Sequence, residues 1–266
     1  MGRIENTFKK LNEKGETALV GFVTAGDPDR GTSEKIITAM CEGGIDILEL
    51  GVPFSDPTAD GPVIQRSSSR AIRQGMTLAG VLEMIAGLRK KHEIPVIVFS
   101  YYNPILAYGN RRFYKDAVAV GADGVLVVDL PPEESDELTD IFDDTDFSLI
   151  RLVAPTTPKQ RMKNIAENAS GFIYLVSKTG VTGSDGLDTT DIRVHTDMLK
   201  SVTTLPICVG FGISTPDDVA RMSKMADGVV IGSAFERTIE TNIKNPDLPA
   251  LIAEQTRAYK AQTGHP

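Results

Sequence analysis

The chain has 266 residues, 41% hydrophobic side chains, a formal net charge of −8 at pH 7 and an isoelectric point near 5.0. This acidic balance argues against a nucleic-acid or anionic-membrane partner, because both require clustered Lys and Arg. The opening stretch, MGRIENTFKK, is charged and amphipathic, and no run approaches ~20 apolar residues, so we expect a soluble, cytoplasmic chain without a signal peptide or a membrane span.

Short apolar runs rich in β-branched residues alternate with amphipathic ones along the chain, which is typical of βα units around a parallel sheet. The candidate strands are 18–24, 46–51, 95–101, 124–129, 148–153, 172–177, 206–211 and 228–232. Eight strands favour a (β/α)8 TIM barrel over a doubly wound sheet, which usually has about five or six. Since there is no linker, low-complexity tract or break in composition, the sequence predicts one domain over residues 1–266.

Helices beyond the eight repeating units are also predicted. They lie at 3–13, before the first strand, at 62–73, after the second, and at 247–261, after the last. The pairs Thr157-Pro158 and Thr215-Pro216 each place a capping hydroxyl before a proline at the first helical position. The two cysteines, Cys41 and Cys208, are interpreted as small core residues rather than as a disulfide pair.

Three carboxylates occur together where the second strand ends, in the stretch LELGVPFSDPTADGP. Glu49 lies in the apolar strand, and Asp56 and Asp60 lie in the loop that follows. A buried acid is costly unless it is paired or protonated, so Glu49 is either a structural partner of a barrel arginine or a proton-transfer group. Active sites of such barrels lie at the C-terminal ends of the strands, which favours a catalytic role for Glu49 and Asp60. Asp56 fits a solvated or capping acid equally well.

Small residues recur after the last three strands. They are Gly180 and Gly183 after strand six, Gly210 and Gly212 after strand seven, and Gly232 and Ser233 after strand eight. Backbone amides exposed by small residues, with a helix beginning at Ser233, predict a phosphate site, although any single glycine is explained by a turn. Neither Gly210 nor Gly232 begins a G-x-G-x-x-G motif, so a dinucleotide site is not supported.

Other reactive residues leave alternatives open. Lys178 follows strand six directly, where an amine can form a Schiff base with a carbonyl substrate, although a loop cation near a phosphate explains it as well. Arg151 interrupts the apolar fifth strand, and a carboxylate inside the barrel is a candidate partner for it. The histidines at 92, 195 and 265 are scattered and none ends a strand, so the sequence predicts no metal site.

Seven stretches, in chain order, carry a resemblance to a known family: LELGVPFSDPTADGP, YYNPILAYG, DLPPEES, LVAPTTP, YLVSKTGVTG, VGFGISTPDDV and GSA. Over essentially the whole chain they resemble the α subunit of tryptophan synthase. The resemblance implies a (β/α)8 barrel that cleaves indole-3-glycerol phosphate reversibly to indole and glyceraldehyde 3-phosphate. It leaves two alternatives: another sugar-phosphate barrel, such as a Schiff-base aldolase using Lys178, or a non-catalytic barrel that activates a partner enzyme.

The same resemblance assigns roles to individual residues. Glu49 is similar to the family's catalytic acid/base and Asp60 to its second catalytic carboxylate. The residues that match substrate-binding positions, at the indole ring or the phosphate, are Phe22, Phe99, Leu126, Tyr174, Thr182, Gly183, Phe211, Gly212, Gly232 and Ser233. No metal or cofactor in this chain is implied.

A partner is implied as well. The family pairs with a β subunit that carries pyridoxal phosphate, in an αββα heterotetramer that passes indole through a tunnel. The positions that match its contact face are Asp56, Pro57, Asn103 and Pro131. Three residues depart from the family pattern: Thr58 stands where an aliphatic residue is usual, Lys178 where an arginine is common, and Arg151 where a proline is frequent.

Overall fold

A computed structural model describes residues 2–142, 146–176, 189–210 and 212–264, with the side chains of 189 and 190 excepted. The strands in these residues are β1 (Ala18–Thr24), β2 (Ile47–Gly51), β3 (Val96–Ser100), β4 (Gly124–Val127), β5 (Ser148–Val153), β6 (Ile173–Val176), β7 (Ile207–Gly210) and β8 (Gly228–Ile231). Each pairs in parallel with the next, and β8 pairs with β1, so the strands form a closed barrel.

Helices surround the barrel. Those in the described part of the chain are α1 (Arg3–Lys14), α2 (Arg30–Gly43), α3 (Pro62–Arg73), α4 (Leu78–Leu88), α5 (Tyr102–Tyr108), α6 (Asn110–Ala119), α7 (Asp136–Thr139), α8 (Lys159–Glu167), α9 (Thr189–Lys200), α10 (Pro216–Ser223), α11 (Ser233–Thr241) and α12 (Leu248–Lys260), with a 3₁₀ turn at Pro132–Glu134. None of these helices is long and apolar enough to cross a membrane. Both cysteines are free thiols.

The (β/α)8 barrel predicted from the sequence is confirmed, and all eight strands lie within their predicted ranges. The extra helices before β1, after β2 and at the end of the chain are confirmed as α1, α3 and α12. Thr215 caps α10 as predicted: its hydroxyl accepts the N–H of Asp218, whose carboxylate accepts the N–H of Thr215 in return.

The prediction for Thr157 is wrong. Pro158 occupies the N-cap position of α8, in an extended conformation, and the helix begins one residue later than predicted. The Thr157 hydroxyl instead accepts a hydrogen bond from the N–H of Ala154 at 3.2 Å. The backbone N–H of Thr157 donates to the carbonyl oxygen of Ala154. The hydroxyl therefore closes a turn before the helix and does not cap it, as expected for a side chain with a local backbone partner available.

Side chains alternate between the two faces of each strand. Ile47, Ile97 and Ile150 lie in the cluster inside the barrel, whereas their neighbours Leu48 and Leu149 pack in the outer cluster beneath the helices. Because both faces are buried, the strands read as continuous apolar runs in the sequence.

Helix α1 closes the N-terminal end of the barrel. Its residues Ile4, Phe8 and Leu11 belong to the interior cluster, and the ring centroid of Phe8 lies 5.9 Å from that of Phe172, just before β6. The barrel interior therefore opens towards the C-terminal ends of the strands, where the predicted carboxylates lie.

Candidate active site

A pocket lies at the C-terminal end of the barrel. Its lining residues come from strand ends and the loops after them: Phe22, Glu49, Asp60, Gly61, Val63, Ile64, Phe99, Tyr174, Gly212, Ile213, Val230, Gly232 and Ser233. Both predicted catalytic carboxylates are therefore in one pocket, together with most of the described residues expected to contact substrate.

Glu49 is a buried acid without a hydrogen-bond partner among the described residues. It lies beside Phe22 of β1 and Ile97 of β3 in the barrel register, and it is 0% exposed. Neither carboxyl oxygen has a hydrogen-bond partner within the described residues. Burial raises the pKa of Glu49 to about 8, so the group is protonated at neutral pH. A structural role as the partner of a barrel arginine is thus not supported, and the pocket holds a carboxylic acid able to donate a proton.

Asp60 occupies a different environment in the loop between β2 and α3. Its Oδ2 accepts a hydrogen bond from the hydroxyl of Tyr101 at 3.0 Å, and this hydroxyl accepts the N–H of Ala59 at 2.9 Å. Burial raises the pKa of Asp60 to about 6, and the Tyr101 hydrogen bond opposes this shift. Asp60 is therefore mostly ionised at pH 7, where Glu49 is mostly protonated.

Tyr101 is a functional residue that the sequence reasoning missed. It is 4% exposed and directly follows β3, so it holds the Asp60 loop against the rim of the barrel. Burial, and then the Asp60 carboxylate, raise the pKa of Tyr101, which keeps its hydroxyl protonated as a donor. The sequence signal for Tyr101 was its position at the end of the predicted strand 95–101. The rule that active-site residues lie at the C-terminal ends of barrel strands applies to Tyr101 as well as to Glu49.

The apolar part of the pocket is formed by aromatic rings. Phe22 and Phe99 meet edge to face with their centroids 5.0 Å apart. Tyr174, in the middle of β6, is 6% exposed, and a Cβ at Gly210 on the adjacent strand would collide with its hydroxyl. Leu126 is fully buried in the barrel interior and does not line this pocket.

The predicted phosphate end lies at α11. Gly232 precedes this helix and Ser233 is its first residue, and no side-chain hydrogen bond caps it within the described chain. Helix α10, in contrast, has its N-terminus closed by the Thr215 capping box. Of the two helices that follow β7 and β8, α11 is thus the one whose first backbone N–H groups are left for an anion. Gly212 lines the same end with a positive φ of 77°.

Some predicted residues are outside the described residues. These are Lys178, Gly180, Thr182, Gly183, Phe211 and His265. Their assignments, and the Schiff-base hypothesis for Lys178, stay predictions.

The four predicted partner contacts lie at the same end of the barrel as the pocket. Asp56 and Pro57 are in the loop after β2, Asn103 is in α5 after β3, and Pro131 is in the loop after β4. Asp56 and Asn103 are exposed and the two prolines are half-buried. A groove containing Pro131 joins the pocket, since Asp60, Gly61, Phe99 and Tyr174 line both.

Arg151 does not pair with a carboxylate inside the barrel. It alternates with Ile150, which faces the interior, and so points outward from β5. Its guanidinium donates to the carbonyl oxygen of Leu130 at 2.8 Å, to the hydroxyl of Ser135 at 2.6 Å and to the carbonyl oxygen of Asn168 at 3.3 Å. Arg151 thus fastens the loop after β4 to the barrel.

Comparisons with known proteins agree with this geometry. The family model described as tryptophan synthase alpha chain matches residues 8–263. The chain is 61% identical to the tryptophan synthase alpha chain of Desulfatibacillum aliphaticivorans and 65% identical to that of Desulfosudis oleivorans, each over 263 residues that cover 99% of both chains.

Solved structures are similar as well. The alpha subunit from Legionella pneumophila superposes with a TM-score of 0.91 at 35% identity, covering 99% of this chain and 98% of that one. A chain of the tryptophan synthase from Mycobacterium tuberculosis superposes with a TM-score of 0.91 at 30% identity, covering 100% of this chain and 99% of that one.

Proposed function

Because the chain belongs to the tryptophan synthase alpha chain family, we propose that Glu49 and Asp60 are the carboxyl groups with which it carries out its lyase reaction. That reaction is the cleavage of indole-3-glycerol phosphate to indole and glyceraldehyde 3-phosphate in tryptophan biosynthesis. The assignment depends on one observation: two carboxyl groups whose pKa values are about 8 and about 6 line one pocket.

The difference in pKa gives each carboxyl group a role. Protonated Glu49 donates its proton to C3 of the indole ring, which makes the ring an electron sink. Ionised Asp60 faces the ring N–H and stabilises the positive charge that develops there. The Glu49 carboxylate then removes the proton of the side-chain hydroxyl next to the ring, and the carbon–carbon bond breaks as the aldehyde forms. The bond electrons return to the ring, and Glu49 is protonated again.

The rest of the pocket binds the two ends of the substrate. Phe22 and Phe99 present aromatic edges and faces to the indole ring, and Tyr174 closes the same wall. The phosphate is bound by the backbone N–H groups at Gly232 and Ser233, with Gly212 opposite and with Thr182 and Gly183 from the neighbouring loop. By the family resemblance we assign Phe211 to the indole end of the site, and Leu126 lies buried in the barrel interior.

The family is one of subunits of a complex, and we propose a pyridoxal-phosphate β subunit as the partner, in an αββα arrangement. Asp56, Pro57, Asn103 and Pro131 would contact it. In support, all four lie at the pocket end of the barrel, and the groove lined by Pro131 leads into the pocket. Such a groove is a route by which indole could leave towards the partner.

The chemistry assigned to this chain uses carboxyl groups alone, so we propose that the cofactor of the complex is held by the β subunit. We also propose a cytoplasmic location for the chain.

The test is a coupled assay of glyceraldehyde 3-phosphate release from indole-3-glycerol phosphate. Wild type and Asp60→Asn are compared with and without a tryptophan synthase β subunit. We expect slow release by the wild type, faster release with the β subunit, and none by the variant, because a neutral amide cannot stabilise the ring cation. Unchanged release by Asp60→Asn would overturn the role of Asp60.

A further inference from the structure

A charged cluster beside the pocket joins the loop after β1 to two helices. Arg70, on α3, donates from Nε and Nη2 to the two carboxylate oxygens of Asp27 at 2.7 and 2.8 Å. Its Nη1 donates to Oε1 of Glu240, on α11, at 2.7 Å. The side chains of Asp27 and Arg70 are 0% and 16% exposed. One planar guanidinium therefore holds two carboxylates from different elements in a fixed geometry, which a flexible ammonium could not reproduce.

The first turn of α11 is tied to β1 by a second contact. Oε1 of Glu236, which is fully buried, accepts the N–H of Thr24 at 2.6 Å. The β1–β8 pairing reaches only Gly21 and Ile231, so this carboxyl group provides an acceptor beyond the end of β8. Burial, and then the nearby Asp27 carboxylate, raise the pKa of Glu236 to about 8. The position of the helix that begins at Ser233 is thus coupled to the end of β1.

Helix α3 is connected to the end of β1 and to the catalytic loop. The hydroxyls of Thr24 and Ser67 lie 2.7 Å apart, and the Ser67 hydroxyl donates to the carbonyl oxygen of Ile64, a pocket residue. Gln65, in the first turn of α3, donates from its side-chain amide to the carbonyl oxygen of Asp60 at 2.8 Å. A displacement of α3 would therefore move the backbone of Asp60.

These contacts form a continuous path between the two ends of the pocket. Helix α11 begins at the phosphate end, and α3 begins two residues after Asp60. We propose that Arg70, together with Asp27 and Glu240, is a positioning bridge through which phosphate bound at α11 orders α3 and, through Gln65, the Asp60 loop. This inference depends on the proposed function, because it requires a phosphate site at Ser233 and a catalytic role for Asp60.

Through this bridge, substrate binding would have two effects on the site. A substrate with a phosphate would both occupy the pocket and fix the carboxylate that faces its ring. A ligand without the phosphate would lack this additional stabilisation of α3 and of the Asp60 loop. The bridge is thus a specificity device for phosphorylated substrates, separate from the direct contacts that the phosphate makes.

Arg66 provides a matched control. It lies one turn before Arg70 on α3 and binds the same Glu240 through two hydrogen bonds of 2.7 Å. Its side chain is 53% exposed, so its ion pair is screened by solvent and holds the helices only weakly. Arg66→Met and Arg70→Met therefore remove the same functional group from the same helix at different depths.

The experiment is amide hydrogen exchange with and without saturating inorganic phosphate, on the full chain of the wild type and of both variants. In the wild type and in Arg66→Met, we expect phosphate to slow exchange at residues 233–236 and at residues 63–66. In Arg70→Met, we expect protection at 233–236 to remain and protection at 63–66 to be lost. In the cleavage assay, Arg70→Met should lower kcat/KM at least about fivefold, with a fall in kcat, whereas Arg66→Met should change neither parameter.

Two other results have distinct meanings. Equal protection of residues 63–66 in the wild type and Arg70→Met would overturn the bridge and leave the phosphate site intact. Absence of protection at 233–236 in the wild type would overturn both the phosphate site and the bridge. If Arg70→Met does not fold because Asp27 is left unpaired, Glu240→Met gives the same test, since it removes the acceptor on α11 at a partly exposed position and leaves the Arg70–Asp27 pair in place.

Discussion

Glu49 and Glu236 are the same residue type at the same depth, and they differ in their contacts. Both are 0% exposed, and burial raises the pKa of each to about 8. Glu236 accepts a hydrogen bond from the backbone of Thr24, whereas neither oxygen of Glu49 has a protein partner among the described residues. A raised pKa therefore does not by itself identify a catalytic acid.

The surroundings explain the difference in role. Glu49 lines the pocket, so its carboxyl oxygens can reach a ligand. Its raised pKa suits it to exchange a proton with that ligand near neutral pH. Glu236 lies between the end of β1 and α11, where its hydrogen bond stabilises the fold. Asp60 is intermediate, because it lines the pocket and has Tyr101 as a partner.

The largest effect should come from Glu49→Gln. The variant keeps the shape and the neutral charge of the protonated acid but cannot transfer a proton, so we expect kcat to fall by about 10²- to 10⁴-fold. Affinity for inorganic phosphate, measured by titration calorimetry, should stay unchanged. Retained turnover would show that Glu49 is not the acid.

The pH dependence of stability should separate Glu49 from an ordinary glutamate. Its pKa is about 8 in the folded protein, against an ordinary value of 4.5, so between these values the folded state keeps a proton that the unfolded state has released. Stability must then fall as pH rises through this window, by at most about 1.4 kcal/mol per pH unit. In urea unfolding between pH 5 and 8, Glu49→Gln should show a shallower decline than the wild type, and parallel curves would contradict the raised pKa.

Tyr101→Phe should have a smaller effect. Loss of the hydroxyl removes the donor that stabilises ionised Asp60, so the pKa of Asp60 rises and the acid limb of the pH–rate profile moves to higher pH. We expect kcat to fall roughly tenfold, the scale of one hydrogen bond to a charged group. Tyr102→Phe is the control, because the Tyr102 hydroxyl accepts from Asn110 instead, and its profile should match the wild type.

The smallest effect should come from Glu236→Gln. At pH 7 the native group is protonated, and the amide oxygen of Gln can still accept the N–H of Thr24, so activity should change less than about twofold and stability by less than ~0.5 kcal/mol. Glu236→Leu removes the acceptor and should cost about 1 to 3 kcal/mol in urea unfolding. A Gln variant as unstable as the Leu variant would mean that Glu236 is ionised.

Local patterns in the sequence predict the barrel and the place of Glu49. The locations of the strands follow from apolar runs of characteristic length. The catalytic assignment of Glu49 follows from the rule that active sites of such barrels lie at the C-terminal ends of the strands. Strand ends were predicted up to two residues too long, as for β4, because a residue such as Val128 remains apolar and half-buried after pairing has stopped. The predicted helix cap at Thr157 was wrong, because the Thr157 hydroxyl closes a turn with Ala154 instead.

The contacts around the site could not be predicted in this way. The Arg70–Glu240 and Thr24–Glu236 contacts join residues 170 and 212 positions apart, and no periodic pattern relates such residues. Before the fold is known, Glu236 reads as one charged residue among several in an amphipathic helix. The same holds for the Tyr101–Asp60 contact, which becomes visible only when the loops after β2 and β3 are placed side by side.

Closure of the barrel restricts how this protein can associate. Every strand in the described chain is hydrogen-bonded on both sides, so the sheet offers no open edge to which another polypeptide could add a strand. Association must therefore use the surfaces of helices and loops. The loops after β2, β3 and β4, where the proposed partner contacts lie, can then accept substitutions without disturbing the backbone hydrogen bonds that maintain the sheet.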